Sequence, residues 1–212
     1  MKGSITFLIV LILITSCNQN HSLFVALKSN DTNITFKNNL TSTKNLNILN
    51  YLYYYNGAGI AAADFNNDGF QDLYFVGNQT SDKLYLNLGN FTFEIVTQKS
   101  KIKNTTPWTT GIANVDINND GLLDIYLCKI GKHNTISGKN LLYVNQGENS
   151  AGVFTFKEEA NLYGLDIIAL ATQASFFDYD KDRDLDMFLL NHSLHPNSNY
   201  SKGKSRSKLD TM

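Results

Sequence analysis

Apolar and polar residues alternate in short runs along most of the chain, and turns rich in Gly, Asn and Asp separate the runs. In the first half, such runs lie at residues 59–63, 73–76, 83–87 and 91–96. Tyr, Phe, Val and Ile are frequent in them, and these residues favour strands. No window of helical length keeps a 3.6-residue apolar period. The pattern predicts an all-β fold.

The strand pattern repeats along the chain. Residues 59–78, "GIAAADFNNDGFQDLYFVGN", align with residues 111–130, "GIANVDINNDGLLDIYLCKI", and more loosely with residues 171–191, "ATQASFFDYDKDRDLDMFLLN". Residues 83–96, "KLYLNLGNFTFEIV", likewise match residues 141–158, "LLYVNQGENSAGVFTFKE". A unit of about 40–50 residues with four short antiparallel strands is the pattern of a β-propeller blade.

The repeats predict an incomplete propeller of four-stranded antiparallel blades within residues 51–191. Blades are expected at about residues 51–100, 105–160 and 168–191, and the third stops after its second strand. Propellers close with four to eight blades, so about two and a half blades predict a partial propeller that is not closed and has an unpaired sheet edge. In the N-terminal segment, residues 17–50, strands at 23–27 and 34–36 would belong to a further, closing blade. We therefore interpret the chain as the N-terminal piece of a longer protein.

The first residues have the features of an export signal. Lys2 is followed by the apolar run 5–14, which is shorter than the about 20 residues of a membrane-spanning helix. Residues 14–17, "ITSC", resemble the bacterial lipobox, so residues 1–16 are predicted to be a lipoprotein signal peptide and Cys17 the lipidated residue. A plain signal peptide with an incidental cysteine is the alternative. We expect a bacterial cell envelope protein, at the outer membrane or cell surface, that contacts the membrane through its lipid anchor only.

Charge is nearly balanced overall but unevenly placed. The formal net charge is −1, which argues against a nucleic-acid partner. Residues 192–212 form a polar, basic tail, whereas 11 of the 19 acidic residues (three, three and five) fall within three nine-residue stretches. Apart from Cys17 the only cysteine is Cys128, so no disulfide can form within the mature chain. Cys128 is predicted to be a small core residue.

The three acidic stretches share one spacing of oxygen side chains. They are "DFNNDGFQD" at 64–72 (loop one), "DINNDGLLD" at 116–124 (loop two) and "DYDKDRDLD" at 178–186 (loop three). Positions 1, 3, 5 and 9 carry oxygen ligands, and position 7 can add a backbone carbonyl. Ca²⁺ takes six to eight such oxygens. Mg²⁺ requires a stricter octahedron, and Zn²⁺ prefers His or Cys, which these stretches lack. Without a cation the carboxylates would repel one another.

The sequence therefore predicts one Ca²⁺ for each loop. The predicted ligands are Asp64, Asn66, Asp68, the Phe70 carbonyl and Asp72 in loop one; Asp116, Asn118, Asp120, the Leu122 carbonyl and Asp124 in loop two; and Asp178, Asp180, Asp182, the Asp184 carbonyl and Asp186 in loop three. Position 6 is Gly69 or Gly121 in the first two loops, where a positive φ suits glycine. Loop three has Arg183 there, so we expect it to bind most weakly or to be distorted.

Two other structures share part of this loop pattern. An EF-hand begins with a similar pattern, but it needs a Glu at position 12 and a helix on each side. Position 12 is Phe75, Leu127 or Leu189, each within a predicted strand. The second alternative is that the loops are solvated Asx turns that join strands without a cation.

These loops and their flanking strands resemble the FG-GAP/VCBS repeat family over about residues 50–191. "YNGAGIAAADFNNDGFQDLYFVGN" is similar to the repeat's entry, Asp loop and exit strand, and "KLYLNLGNFTFEIV" to its second hairpin. The arrangement resembles bacterial lipoproteins related to cartilage acidic protein, which carry an ASPIC/UnbV-type region after their repeats. The resemblance implies that each loop joins the first and second strands of a blade and binds a structural Ca²⁺.

A calcium-stabilised, non-enzymatic module for binding or adhesion at the cell surface is the leading functional hypothesis, with a protein or glycan as the unknown ligand. A carbohydrate-active hydrolase or lyase is the alternative, because propellers host such enzymes and paired carboxylates can do acid/base work. Against it, the clustered carboxylates all belong to loop positions. His133, His192 and His195 are predicted to be isolated surface residues, so no catalytic residue is assigned. A truncated, non-functional product is a third possibility.

Overall fold

The computed structural model describes residues 22–103, 108–133, 135–149 and 153–193. The predicted signal peptide, Cys17 and most of the basic tail lie outside these ranges. The elements are the short helix α1 (Ser29–Thr32) and the strands β1 (Ile60–Ala63), β2 (Asp72–Phe75), β3 (Lys83–Asn87), β4 (Phe93–Ile95), β5 (Thr109–Val115), β6 (Asp124–Lys129), β7 (Lys132–His133), β8 (Ile136–Ser137), β9 (Leu141–Glu148), β10 (Phe154–Glu158), β11 (Ala171–Phe177) and β12 (Asp186–Asn191). Within these ranges no helix has the length and apolar character needed to span a membrane.

The strands form antiparallel sheets that follow the repeats. Blade one has the order β1-β2-β3-β4, blade two the order β5-β6-β9-β10, and blade three only β11-β12. The first strands of successive blades are neighbours, since β5 contacts both β1 and β11. The described chain is thus a partial propeller of two complete blades and a two-stranded third, and it does not close. The all-β prediction and its incomplete blade count are confirmed.

The core lies between the blades because successive side chains of a strand point to opposite faces of its sheet. On one face of β6, Ile125 and Leu127 pack in a cluster with Tyr74 of blade one. On its other face, Tyr126 and Cys128 pack in a second cluster with residues of β11. All six residues of β6 are buried. Cys128 is a core residue as predicted, and burial raises the pKa of its thiol to about 12.

A third cluster covers one end of blades one and two. Trp108, which is 1% exposed, packs there with Tyr51, Tyr54 and Ile130. Tyr51 and Tyr54 belong to the segment that leads into β1, so this segment closes the end of the sheets at which β2 and β6 finish.

Strands do not form where the sequence predicted them at residues 23–27 and 34–36. A strand needs a neighbour for its backbone hydrogen bonds, and no described strand pairs with either stretch. Leu23 and Phe24 are 93% and 87% exposed. The second stretch instead lies against blade one through side chains, with the Phe36 and Phe75 rings 5.2 Å apart. The small hairpin β7–β8 was not predicted either.

Candidate metal centres

Each acidic loop joins the first and second strands of its blade, as the family resemblance implied. Loop one lies between β1 and β2, loop two between β5 and β6, and loop three between β11 and β12. Asn67 of loop one approaches the Gly121 carbonyl of loop two at 3.5 Å. Loops two and three face each other across a cavity of about 630 Å³ that Asn118 and Arg183 help to line. The three loops therefore lie at the same end of the blades.

The loops share an unusual backbone conformation at two positions. Positive φ angles occur at position 4, in Asn67 (57°), Asn119 (58°) and Lys181 (67°), and at position 6, in Gly69 (87°), Gly121 (84°) and Arg183 (82°). Arg183 thus keeps the angle of the two glycines, at a cost of about 1 kcal/mol for a residue with a Cβ. Loop three is strained at this residue, and its backbone follows the other two loops. The left-handed position 4 was missed, although asparagine there in two loops was a usable signal.

Loop one is shaped by hydrogen bonds from its own backbone. The two carboxylate oxygens of Asp64 accept hydrogen bonds from Asp68 N at 3.0 Å and Gly69 N at 2.8 Å. Asp68 Oδ1 accepts one from Phe70 N at 2.8 Å. Loop two repeats all three bonds, at 3.1, 2.9 and 2.8 Å. These are bonds of the Asx-turn type, so the Asx-turn alternative describes part of the geometry.

The last aspartate of loops one and two is buried and joins the loop to the third strand. Asp72 and Asp124 are both 0% exposed. Asp124 Oδ2 accepts from Ile117 N at 2.8 Å, and Oδ1 accepts from Asn145 N in β9 at 2.7 Å. Burial raises the pKa of each of these carboxyls to about 6, and neighbouring loop aspartates add to the rise, although the backbone donors oppose it.

Three of the predicted ligands in loop three converge. Oxygens of Asp178, Asp180 and Asp186 all lie within 4.8 Å of one another. Two oxygens on opposite sides of a calcium ion are about 5 Å apart, twice the Ca–O distance, so one ion can contact all three. In the described part of the chain no other three acidic groups come this close. Position 3 is an amide in loops one and two, so those loops offer fewer carboxylates.

The side chains of Asp182 and Asp184 interact with each other. The carboxyl of Asp184 hydrogen-bonds to that of Asp182, and this bond together with the adjacent charge raises the pKa of Asp184. The carboxylates of loop three therefore lie so close together that the pKa of one of them, Asp184, is raised. A divalent cation would relieve this repulsion.

The position 3 amide of loop one fits a calcium ligand. Asn66 Nδ2 donates to Asp68 Oδ2 at 2.8 Å, which fixes the orientation of the amide. Asn66 Oδ1 is shielded from solvent and accepts no hydrogen bond from any described residue. A buried oxygen without a donor costs about 1–3 kcal/mol, and a hard cation would satisfy it. The oxygen-only donor set suits Ca²⁺.

The prediction that His133 and His192 are isolated surface residues is wrong. Both rings lie near Tyr51, with centroid distances of 4.9 and 5.8 Å, and Tyr53 stacks on His192 at 4.1 Å. They meet because His133 follows β6 and His192 follows β12, at the end of the blades away from the loops. Burial lowers the pKa of His192. His195 lies outside the described residues.

A buried polar chain between blades one and two was also missed. Lys129 Nζ donates to Thr109 Oγ1 at 2.7 Å, and Thr109 Oγ1 donates to Asp82 Oδ2 at 3.2 Å. Burial lowers the pKa of Lys129 to about 8 and raises that of Asp82 to about 6, while the attraction between the two charges opposes both shifts. The one feature of the sequence that indicated this buried chain was Lys129, a lysine at the end of an apolar run.

Comparison with known families agrees with this geometry. The sequence model of the FG-GAP-like repeat matches residues 64–127. The match begins at the first aspartate of loop one and ends within β6, so it includes loops one and two. It supports a propeller-type repeat module of the FG-GAP kind. No curated protein matches the chain.

Proposed function

We propose that this propeller-type repeat module binds calcium in its three Asp loops and acts as a non-enzymatic binding or adhesion module. The bound ions would fix the turns between the first and second strands of each blade, which lie side by side at one end. The observation that carries the proposal is the convergence of Asp178, Asp180 and Asp186 to within 4.8 Å in loop three.

Loops one and two support the proposal in a different way. In loop one, hydrogen bonds from Gly69 N and Phe70 N hold the carboxylates of Asp64 and Asp68, and loop three repeats these two bonds. Each carboxylate oxygen retains a second lone pair for a metal. Asn66 Oδ1, which accepts no hydrogen bond from any described residue, adds a neutral oxygen at the third position of loop one.

The site chemistry favours a structural over a catalytic metal. Position 9 of loops one and two is buried and bonded to backbone N–H groups on both oxygens, so it cannot readily exchange protons with a substrate. The ligand of the module would be a protein or a glycan. Its place would be the bacterial cell envelope, held there by a lipid on Cys17, as in the lipoproteins related to cartilage acidic protein that the repeats resemble.

Thermal unfolding with and without calcium tests the metal proposal. Each site saturated a hundredfold above its Kd adds about 2.7 kcal/mol, which corresponds to a rise in Tm of about 5–10 °C for a chain of this size. Millimolar Mg²⁺ should give a smaller rise. An unchanged Tm in millimolar Ca²⁺ would contradict the proposal.

The double variant Asp68→Ala/Asp120→Ala should lose most of this rise. Its matched control is Asp31→Ala/Glu148→Ala, which removes the same charge from exposed residues outside the loops and should keep the full rise. The non-enzymatic role is tested by incubating the protein with a glycan panel. Cleavage that persists in chelator would contradict that role, whereas calcium-dependent binding without cleavage would support it.

A further inference from the structure

The third strand of a complete blade is held to the Asp loop by a repeated set of contacts. In blade two, Asn145 N donates to Asp124 Oδ1 at 2.7 Å, and Asn145 Nδ2 donates to the Leu123 carbonyl at 3.2 Å. In blade one, Asn87 makes the same two bonds, at 2.8 Å to Asp72 Oδ1 and 2.9 Å to the Gln71 carbonyl. The asparagine on the third strand of each blade thus donates hydrogen bonds to positions 8 and 9 of the loop.

The residues around this asparagine are also the same in both blades. Each asparagine accepts a hydrogen bond on Oδ1 from a glycine two residues later, at 3.0 Å in both cases. The glycines have φ angles of 84° and 65°, which suit a residue without a Cβ. A Leu-Tyr pair precedes each asparagine with one residue between them, and all four of these Leu and Tyr residues are only 0–2% exposed. The common pattern is Leu-Tyr-x-Asn-x-Gly.

Blade three has the acceptor groups of this arrangement, the carboxylate of Asp186 and the carbonyl of Leu185. Asp186 Oδ2 accepts from Tyr179 N at 2.9 Å, as the equivalent oxygens do in the other loops. No described residue donates a backbone N–H to Asp186 Oδ1, and β12 pairs with no described strand other than β11. Phe188 is 61% exposed, whereas its counterparts Tyr74 and Tyr126 are 0% exposed.

We propose that the free edge of β12 is a docking site for one extended polypeptide strand with the pattern Leu-Tyr-x-Asn-x-Gly. The asparagine of the incoming strand donates its N–H to Asp186 Oδ1 and its side-chain amide to the Leu185 carbonyl. The 212 residues contain this pattern at 84–89 and 142–147 only, and both copies already serve blades one and two. The strand therefore belongs to polypeptide outside these residues.

The register of the docked strand follows from the complete blades. Leu73 pairs with Tyr85 and Ile125 with Tyr143, so Met187 receives the incoming tyrosine. Directly opposed residues of antiparallel strands share a face. The tyrosine therefore lies on the side of Met187, which packs against blade two. The incoming leucine lies against Phe188 and covers part of its exposed ring.

A labelled synthetic peptide with the sequence of residues 139–149, "KNLLYVNQGEN", tests the proposal on the whole chain. Fluorescence anisotropy should show saturable binding, and hydrogen exchange should slow across β12 on addition of the peptide. A peptide carrying Asn145→Asp should bind at least about tenfold more weakly, because it loses the amide donor. A peptide carrying Gly147→Val should also weaken, because its turn needs a positive φ.

Variants of the chain locate the site. Phe188→Asp places a charge on the docking edge and should weaken binding by at least about tenfold. Leu162→Asp changes a residue that is 75% exposed elsewhere and should leave the affinity unchanged. Circular dichroism establishes that both variants fold. The proposal is overturned if millimolar peptide does not bind, if Phe188→Asp binds it as well as the unmodified chain, or if exchange slows at β4 or β10 instead of β12.

Discussion

Asp72 Oδ1 lies 2.8 Å from the backbone nitrogen of Asn87, on the third strand of blade one. The other oxygen of the same carboxylate accepts a hydrogen bond from Phe65 N at 3.2 Å. A residue that ends a predicted calcium loop thus also ties that loop to the body of its sheet. Asp124 repeats the arrangement in blade two. The ninth position therefore has a structural role that does not depend on a metal.

Replacing the ninth aspartate should destabilise the chain even in chelator. Asp124→Ala leaves two backbone N–H groups, those of Ile117 and Asn145, without their acceptor. Each unsatisfied buried group costs about 1–3 kcal/mol, so urea unfolding in EDTA should show a loss of about 3 kcal/mol. Asp180→Ala removes an exposed carboxylate and should change stability in EDTA by no more than about 0.5 kcal/mol. Equal losses in the two variants would contradict this role.

The buried Asp82 and Lys129 should give a minimum of stability near neutral pH. The folded-state pKa of Asp82, about 6, lies above its ordinary value of 3.8, so the folded state binds a proton more tightly than the unfolded state. The folded-state pKa of Lys129, about 8, lies below its ordinary value of 10.5, so the folded state releases a proton more readily. By linkage, the contribution of this pair to the free energy of unfolding rises as the pH falls from 6 to 4, and it rises again as the pH increases from 8 to 10.

The double variant Asp82→Asn/Lys129→Met isolates this contribution. Urea unfolding at several pH values, in chelator and at constant ionic strength, gives the free energy of unfolding for both proteins. The difference, unmodified minus variant, should be smallest between about pH 6 and 8. Each single change should cost more than the double change, because it leaves one buried charge without its partner. A difference that does not vary with pH would contradict folded-state pKa values of about 6 for Asp82 and about 8 for Lys129.

Arg183→Gly should tighten calcium binding in loop three. Arg183 has a φ of 82°, and its charge lies at position 6 of a loop that binds a cation under our proposal. Removing about 1 kcal/mol of charge repulsion at close range in water corresponds to an affinity about fivefold higher. Arg183→Lys keeps both the charge and the backbone strain, and its affinity should not change. Isothermal titration measures both, and a weaker or unchanged affinity for Arg183→Gly would contradict the prediction.

Cys17→Ser should release the protein from the membrane fraction. The sequence predicts that the cysteine carries the lipid anchor, and this residue lies outside the described ranges. Fractionation of cells that express each form, followed by mass spectrometry of the mature N-terminus, tests the prediction. A Cys17→Ser form that stays in the membrane fraction would contradict it.

The sequence predicted the blades because their signal is local. Apolar residues of period two, repeated with the same turn residues, give strands whose bounds fall within one or two residues of those predicted in blade one. The stretches 23–27 and 34–36 form no strand in the described residues, because a strand also needs a partner and the prediction placed theirs in a further, closing blade. The apolar pattern of a stretch does not reveal whether one is present.

The parts of the site that depend on contacts between distant residues were not predictable. The bond between Asp124 and Asn145 joins positions 21 residues apart, and no local pattern distinguishes Asp124 from the other loop aspartates. His133 and His192 are brought together by the ends of strands in two different blades. The loop spacing was visible in the sequence because its ligands are contiguous, as was the glycine at position 6.

Counting the calcium ions bound per chain tests the central claim most directly. Equilibrium dialysis of the chelator-stripped protein against millimolar Ca²⁺, with metal analysis of the retained protein, should give three ions per chain. The Asp68→Ala/Asp120→Ala variant should retain one, in loop three. Less than one ion per unmodified chain at millimolar Ca²⁺ would show that the three loops are turns held by their own hydrogen bonds, and the calcium account would be wrong.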